Sequence, residues 1–232
     1  MIYRVKTLFF SIPLVTLYTI MLASVSAVAS GLFNKQDASW RISKLWSKLL
    51  LLTCGVKVMV EGVENLELNG PCIIMSNHQS QFDIPILYSI IQKSFRTYYK
   101  SPLEKVPFLG WHLKFSDNIA IARGDRKQAI KTIRTGNKHL KHGKSLLLFP
   151  EGTRSENGVL GKFKRGGFIL AEKNNLPIIP ITIIDSYEVM KKGDYAVMPK
   201  LIKVIIDRPL YPAGEDMMQQ LKELMKLRME QN

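Results

Sequence analysis

Two patterns predict an α/β fold, a layered domain with a largely parallel central sheet flanked by helices. From Val56 onward, short apolar runs of strand length alternate with longer helix-like segments, the order that builds strand–helix–strand units. Two of those runs also end abruptly in polar and charged residues, as strands do at the ligand-binding edge of open α/β sheets.

Taken in order, the chain begins with Arg4 and Lys6 and then a charge-free run over residues 8–33. As a helix that run is long enough to cross about 30 Å of hydrocarbon. Ala27-Val28-Ala29 imitates a secretory cleavage site, but the run is long for a signal's apolar region and is read as retained. Over residues 38–54, Trp40, Ile42, Leu45, Trp46, Leu49, Leu50 and Leu52 form an apolar stripe, with Arg41, Lys44 and Lys48 largely opposite. That pattern fits a basic helix at a membrane interface, or a helix packed on the following domain. Strands are expected over 56–60, 72–76, 95–99, 119–122, 145–149, 178–184 and 201–206. Helices are expected over 83–92, 126–141, 166–174 and 215–229, with Ser80 as an N-cap for the first. Pro180 inside a strand pattern implies an edge or a bulge. In the second of these helices Lys127, Lys131, Arg134, Lys138 and Lys141 make a cationic stripe opposite Ile130, Ile133 and Leu140. Such a stripe is either a solvated face or a dock for an anionic bilayer or acidic carrier protein.

At 232 residues the chain is long enough for one enzyme-sized domain with an attachment. A net charge of +14 points to an anionic partner: nucleic acid, an acidic membrane surface or a phosphorylated substrate. Cys54 and Cys72 are the only cysteines, both in apolar contexts, so the chain suits a reducing compartment without a disulfide framework.

The chemistry concentrates at two strand ends. Cys72-Ile73-Ile74-Met75 runs into Asn77-His78-Gln79-Ser80-Gln81-Phe82-Asp83, with a histidine and an aspartate five positions apart. Across a strand-to-helix turn that gap folds the carboxylate back onto the imidazole. An aspartate accepting from one ring nitrogen fixes the tautomer and leaves the other as a base. The alternative is a structural turn held by Asp83. Likewise Leu146-Leu147-Leu148-Phe149 runs into Pro150-Glu151-Gly152-Thr153-Arg154-Ser155.

Together these two segments resemble the signature of the glycerolipid acyltransferases, and most of all the 1-acyl-sn-glycerol-3-phosphate acyltransferases. The resemblance extends to Lys100 and Leu103, to Pro107-Phe108-Leu109-Gly110-Trp111, to Ile121-Ala122-Arg123 and to Pro177-Ile178-Ile179-Pro180-Ile181. It implies transfer of a fatty acyl group from an acyl thioester (acyl-CoA or acyl-carrier protein) to the sn-2 hydroxyl of lysophosphatidic acid, with no further cofactor. Another lysolipid acceptor stays open, because the alanines at 120 and 122 and His112 depart from the common pattern. The resemblance makes His78 and Asp83 the catalytic pair and Arg123, Arg154 and Lys100 the phosphate contacts. Glu151, Gly152 and Thr153 belong to the substrate loop that carries Arg154. It further implies that residues 1–54 form a membrane-associated helical hairpin in one leaflet and residues 55–232 a catalytic domain on the cytoplasmic face.

Rival chemistries lack their residues. No G-x-S-x-G elbow is present. His142-Gly143-Lys144-Ser145 imitates a phosphate loop, but Lys138 stands where its first glycine belongs. His139 and His142 have metal-like spacing without further ligands nearby and are expected on or beyond a solvated helix, so no metal is implied. A basic nucleic-acid-binding protein would interleave aromatics with cations and need no His–Asp pair, so nucleic acid is not expected as a partner.

Overall fold

The computed structural model describes residues 2–33, 36–121, 126–212 and 216–231. Seven strands make one sheet: β1 (Lys57–Glu61), β2 (Ile73–Ser76), β3 (Phe95–Lys100), β4 (Ile119–Ile121), β5 (Ser145–Leu148), β6 (Ile178–Ile184) and β7 (Leu201–Ile206). Their order is β1-β7-β6-β2-β5-β3-β4. Strands β6, β2, β5, β3 and β4 run parallel, while β7 is antiparallel to β6 and carries β1 parallel to itself. Each strand lies within one residue of its expected bounds, residue 122 being outside the described residues.

The helices are α1 (Ile2–Lys6), α2 (Ile12–Phe33), α3 (Gln36–Cys54), α4 (Asp83–Ile90), α5 (Leu109–Phe115), α6 (Arg126–Lys141), α7 (Gly166–Asn174), α8 (Ser186–Val189) and α9 (Met217–Glu230). A π-type turn over Thr7–Ser11 joins α1 to α2. Side chains alternating across the strands divide the core in two. Ile74 and Leu147 pack with Ile86 and Leu87 of α4 and Leu51 of α3. Ile73, Met75 and Leu146 pack with Leu140, Phe168 and Leu221 on the other face. Three layers result.

Local differences from expectation have local causes. Strand β6 is interior, so Pro180 is not at an edge. It does sit at a register break: between the pairs Ile181–Ile206 and Ile178–Leu210, two residues face three. Ser80 does not cap α4, which starts at Asp83; its Oγ donates to Met190 O instead. Helix α9 starts at Met217, where Asp216 accepts from the Met218 N–H. All five cations of the α6 stripe are exposed, but so is Ile130. His139 is not solvated: its side chain is 15% exposed, with Nδ1 3.7 Å from Asp117. Burial pushes its pKa down.

The N-terminal helices form an antiparallel pair. Ser26 Oγ donates to Ser39 Oγ at 2.9 Å, and Trp46 Nε1 donates to Thr19 Oγ1 at 2.8 Å. Helix α3 lies between α2 and α4, with Trp40, Leu50 and Leu51 against the core. The apolar stripe of α3 is thus divided: Trp40 and Leu50 meet protein, while Leu45 and Leu52 stay exposed. A longer outward apolar surface belongs to α2, where Leu14, Leu17, Met21, Val25 and Val28 are exposed. Residues Ile2–Gly31 form the one described helix long and apolar enough to cross a membrane. It does not stand away from the body. Near its start Arg4 pairs with Asp194 at 3.3 Å, and the Val197 N–H donates to Thr7 Oγ1 at 3.1 Å. Near its end Ser26 meets His112 at 2.7 Å. Asp37 of α3 then pairs with Arg96, a β3 side chain only 1% exposed.

Candidate active site

The carboxyl ends of the parallel strands collect the polar motifs at one edge of the sheet. Strand β2 delivers Asn77 and His78, its neighbour β5 delivers Glu151 to Arg154, and β3 ends on Lys100. Strand β4 ends at Ile121 on the same edge, two residues before Arg123, which lies outside the described residues. Asn77 is a fixed point of the turn: its amide donates to Ile183 O and accepts from the Ile183 N–H, both at 2.8 Å. That double bond pins the end of β2 to β6, so the next residue is placed by backbone rather than by chance.

His78 and Asp83 meet as the spacing requires. His78 Nδ1 lies 2.8 Å from Asp83 Oδ2, and the same oxygen accepts the N–H groups of Gln79 at 2.7 Å and Ser80 at 2.8 Å. Asp83 is fully buried, whereas the His78 side chain is 18% exposed. A carboxylate oxygen facing two backbone donors takes the acceptor role toward the imidazole too, so Nδ1 carries the hydrogen and Nε2 keeps its lone pair. Phe149 stacks on the imidazole, centroids 4.0 Å apart and planes 16° from parallel, which fixes the ring's plane. The result is an imidazole held in one tautomer and one orientation, the arrangement a general base requires.

Glu151 serves the backbone. Its Oε1 accepts the His78 N–H and its Oε2 the Gly161 N–H, each at 2.7 Å. The residue is 5% exposed, and burial pushes its carboxyl pKa up against the opposing pull of those two bonds. The Ser155 N–H donates to His78 O at 2.8 Å, a second tie between the two motif loops. At Gly152 φ is +69°, a conformation that glycine adopts without strain, and the Lys164 ammonium crosses where a Cβ would stand. One guanidinium nitrogen of Arg154, NH1, is buried without a hydrogen-bond partner among the described residues. A buried, unpaired cationic donor on the loop tied to His78 through Ser155 can serve an oxyanion, as arginine's fork suits phosphate.

A model of the acyltransferase family matches residues 57–184, from β1 through β6 and over every motif described above. The chain belongs to the acyltransferase family. It is 33% identical over 179 residues, 76% of its length, to a chloroplastic 1-acyl-sn-glycerol-3-phosphate acyltransferase of Brassica napus, of which the match covers 52%. It is 35% identical over 178 residues, again 76% of its length, to the 1-acyl-sn-glycerol-3-phosphate acyltransferase of Pseudomonas aeruginosa, of which the match covers 67%. The chain thus spans about half the length of the plant relatives it matches. The crystal structure of the 1-acyl-sn-glycerophosphate acyltransferase PlsC from Thermotoga maritima has the same fold: TM-score 0.83, 23% identity, 99% of this chain and 96% of that one.

Among the acyltransferase motif residues, the fold unites His78, Asp83, Glu151, Gly152, Thr153 and Arg154 in one constellation. Thr153 is exposed on the loop, and Lys100 is exposed one strand beyond β5. His112 lies elsewhere: Ser26 Oγ is 2.7 Å from its Nδ1 and Ser43 Oγ 3.2 Å from its Nε2, so both ring nitrogens are engaged by the N-terminal helices. The sequence reading missed Lys164, whose own N–H donates to Pro150 O at 2.8 Å. Its signal was the basic cluster Lys162-Phe163-Lys164-Arg165, which begins seven residues after Ser155 and is unmarked by any spacing rule.

Proposed function

We propose that this chain transfers a fatty acyl group from an acyl thioester, acyl-CoA or acyl-carrier protein, to the sn-2 hydroxyl of lysophosphatidic acid, giving phosphatidic acid. The observation that carries the reading is the oriented His78–Asp83 pair beside a loop whose Arg154 holds a buried, unpaired guanidinium nitrogen. The plant and bacterial relatives, named as 1-acyl-sn-glycerol-3-phosphate acyltransferases, support the same acceptor.

In this mechanism Arg154, with Arg123 and Lys100, holds the acceptor phosphate and thereby sets the sn-2 hydroxyl against His78. His78 Nε2 takes the hydroxyl proton as the oxygen attacks the thioester carbonyl. Asp83 orients the imidazole and stabilises the imidazolium that forms. The tetrahedral intermediate then expels the thiolate, which leaves as the thiol after taking that proton. A thiolate is a good leaving group, so direct transfer without an acyl-enzyme suffices. Residues 1–54 serve as the membrane attachment of the catalytic domain, 55–232, on the cytoplasmic face where such thioesters are made. The exposed apolar side of α2 supports this arrangement.

The purified full-length protein, given labelled acyl thioester and a panel of lysolipids, tests the reading. Phosphatidic acid is the expected main product. Preferential acylation of a lysolipid without the phosphomonoester, or no transfer at all, overturns it.

A further inference from the structure

A second apolar surface lies on the segment that follows β3, apart from the loops that carry His78 and Arg154. Leu103 is exposed in the 3₁₀ turn Ser101–Lys105, Val106 is exposed directly after it, and Trp111 and Phe115 are exposed one helical turn apart on α5. Four large apolar side chains within thirteen residues are more than a scattered surface hydrophobe. We propose that Leu103, Val106, Trp111 and Phe115 form a second lipid-bilayer contact, continuous with the outer face of α2. This rests on the membrane reading of α2 given above.

Three observations favour a bilayer as the occupant. The first is continuity: the Phe115 ring lies 3.5 Å from where a Gly31 Cβ would stand, so this half-exposed aromatic sits directly on α2. The second is charge. Exposed Lys105 and Lys114 border the patch, and its one carboxylate, Glu104, is engaged by the Tyr99 hydroxyl at 2.9 Å. Cations around an apolar patch suit anionic headgroups and disfavour a second copy of a chain carrying +14. The third is rigidity. Phe108 holds φ +62° and ψ −58°, where L-residues are rarely found, and its ring meets Trp111 edge-on with centroids 5.0 Å apart. Helix α5 is pressed on the preceding turn so closely that a Cβ on Gly110 would come within 2.1 Å of Glu104 O. Strain and close contact keep Trp111 turned outward. Because the segment follows Lys100, the contact sets the carboxyl edge of the sheet, where the acceptor binds, at the lipid surface.

Trp111 is half exposed, while Trp40 packs on the core and Trp46 is hydrogen-bonded to Thr19, so one residue can report on the contact. Full-length wild type and Trp111→Phe are floated with anionic vesicles whose lipids carry bromine on the acyl chains. Tryptophan emission of the floated protein is then compared with that on unbrominated vesicles. The expected result is quenching in the wild type, lost in Trp111→Phe, together with protection of the wild-type component from aqueous acrylamide. Protein that floats with Trp111 unquenched and open to acrylamide overturns this proposal alone. Protein that does not float overturns the α2 attachment, and this proposal with it.

Discussion

At His78 the backbone and the side chain are held by different carboxylates: Asp83 takes Nδ1, and Glu151 takes the backbone N–H. The distinction predicts different kinetics. Glu151→Gln can accept only one of the two N–H groups it now serves and would turn a donor toward the other. It should lower kcat about tenfold or more, in keeping with ~1–3 kcal/mol for a charge-assisted bond, and leave the KM for lysophosphatidic acid unchanged. A raised acceptor KM with normal kcat would make Glu151 a substrate contact instead. Arg154→Ala should raise that KM roughly tenfold to a hundredfold, with partial recovery in Arg154→Lys, since one ammonium replaces only part of a two-pronged grip. Steady-state assays with lysophosphatidic acid and monoacylglycerol check it: the phosphate-free acceptor should barely feel the mutation. The His–Asp pair was legible because five residues across a strand-to-helix turn leave little choice of partner. Glu151's role was not, since its bonds run to backbone donors that no side-chain motif records.

Among the elements, α5 was not foreseen; it has seven residues and holds His112 between Ser26 and Ser43. Burial pushes the pKa of His112 down to about 4 from its ordinary 6.5. The sign follows directly. The unfolded chain binds a proton below the ordinary value while the folded one resists until about pH 4, so stability falls as pH drops through that window. The loss attributable to this residue can reach about 3 kcal/mol. His112→Gln keeps hydrogen bonds to the serines without titrating. Melting temperatures at about pH 7.5 and about pH 4.5 should therefore differ less in the variant than in the wild type. Equal differences would place the acid sensitivity elsewhere. Sequence marked His112 as unusual but pointed toward substrate preference, because only the folded chain reveals that its neighbours are on α2 and α3. The amphipathic stripe of α3 left both of its readings open for the same reason: periodicity identifies an apolar face, not what covers it.

For the whole molecule, alternating strands and helices foretold the layers, while the order β1-β7-β6-β2-β5-β3-β4 depends on long-range pairing that no local pattern encodes. Nor could an apolar run of spanning length reveal that the helical stretch Ile2–Gly31 is tied to the body near both ends, by Arg4–Asp194 and by Ser26–His112. A helix so held presents one side to lipid. Replacing Leu17, Met21 and Val25 together by Lys should abolish flotation with vesicles and leave the melting temperature nearly unchanged, since all three are exposed. Retained flotation would move the attachment away from α2.

Everything proposed for the reaction depends on His78 as the base. The direct measurement is turnover of purified His78→Ala with saturating acyl thioester and lysophosphatidic acid, alongside a melting curve matching the wild type. Loss of a positioned general base predicts a fall of about a hundredfold to ten-thousandfold with the fold intact. A correctly folded variant that keeps more than roughly a tenth of wild-type turnover would contradict the His78–Asp83 mechanism.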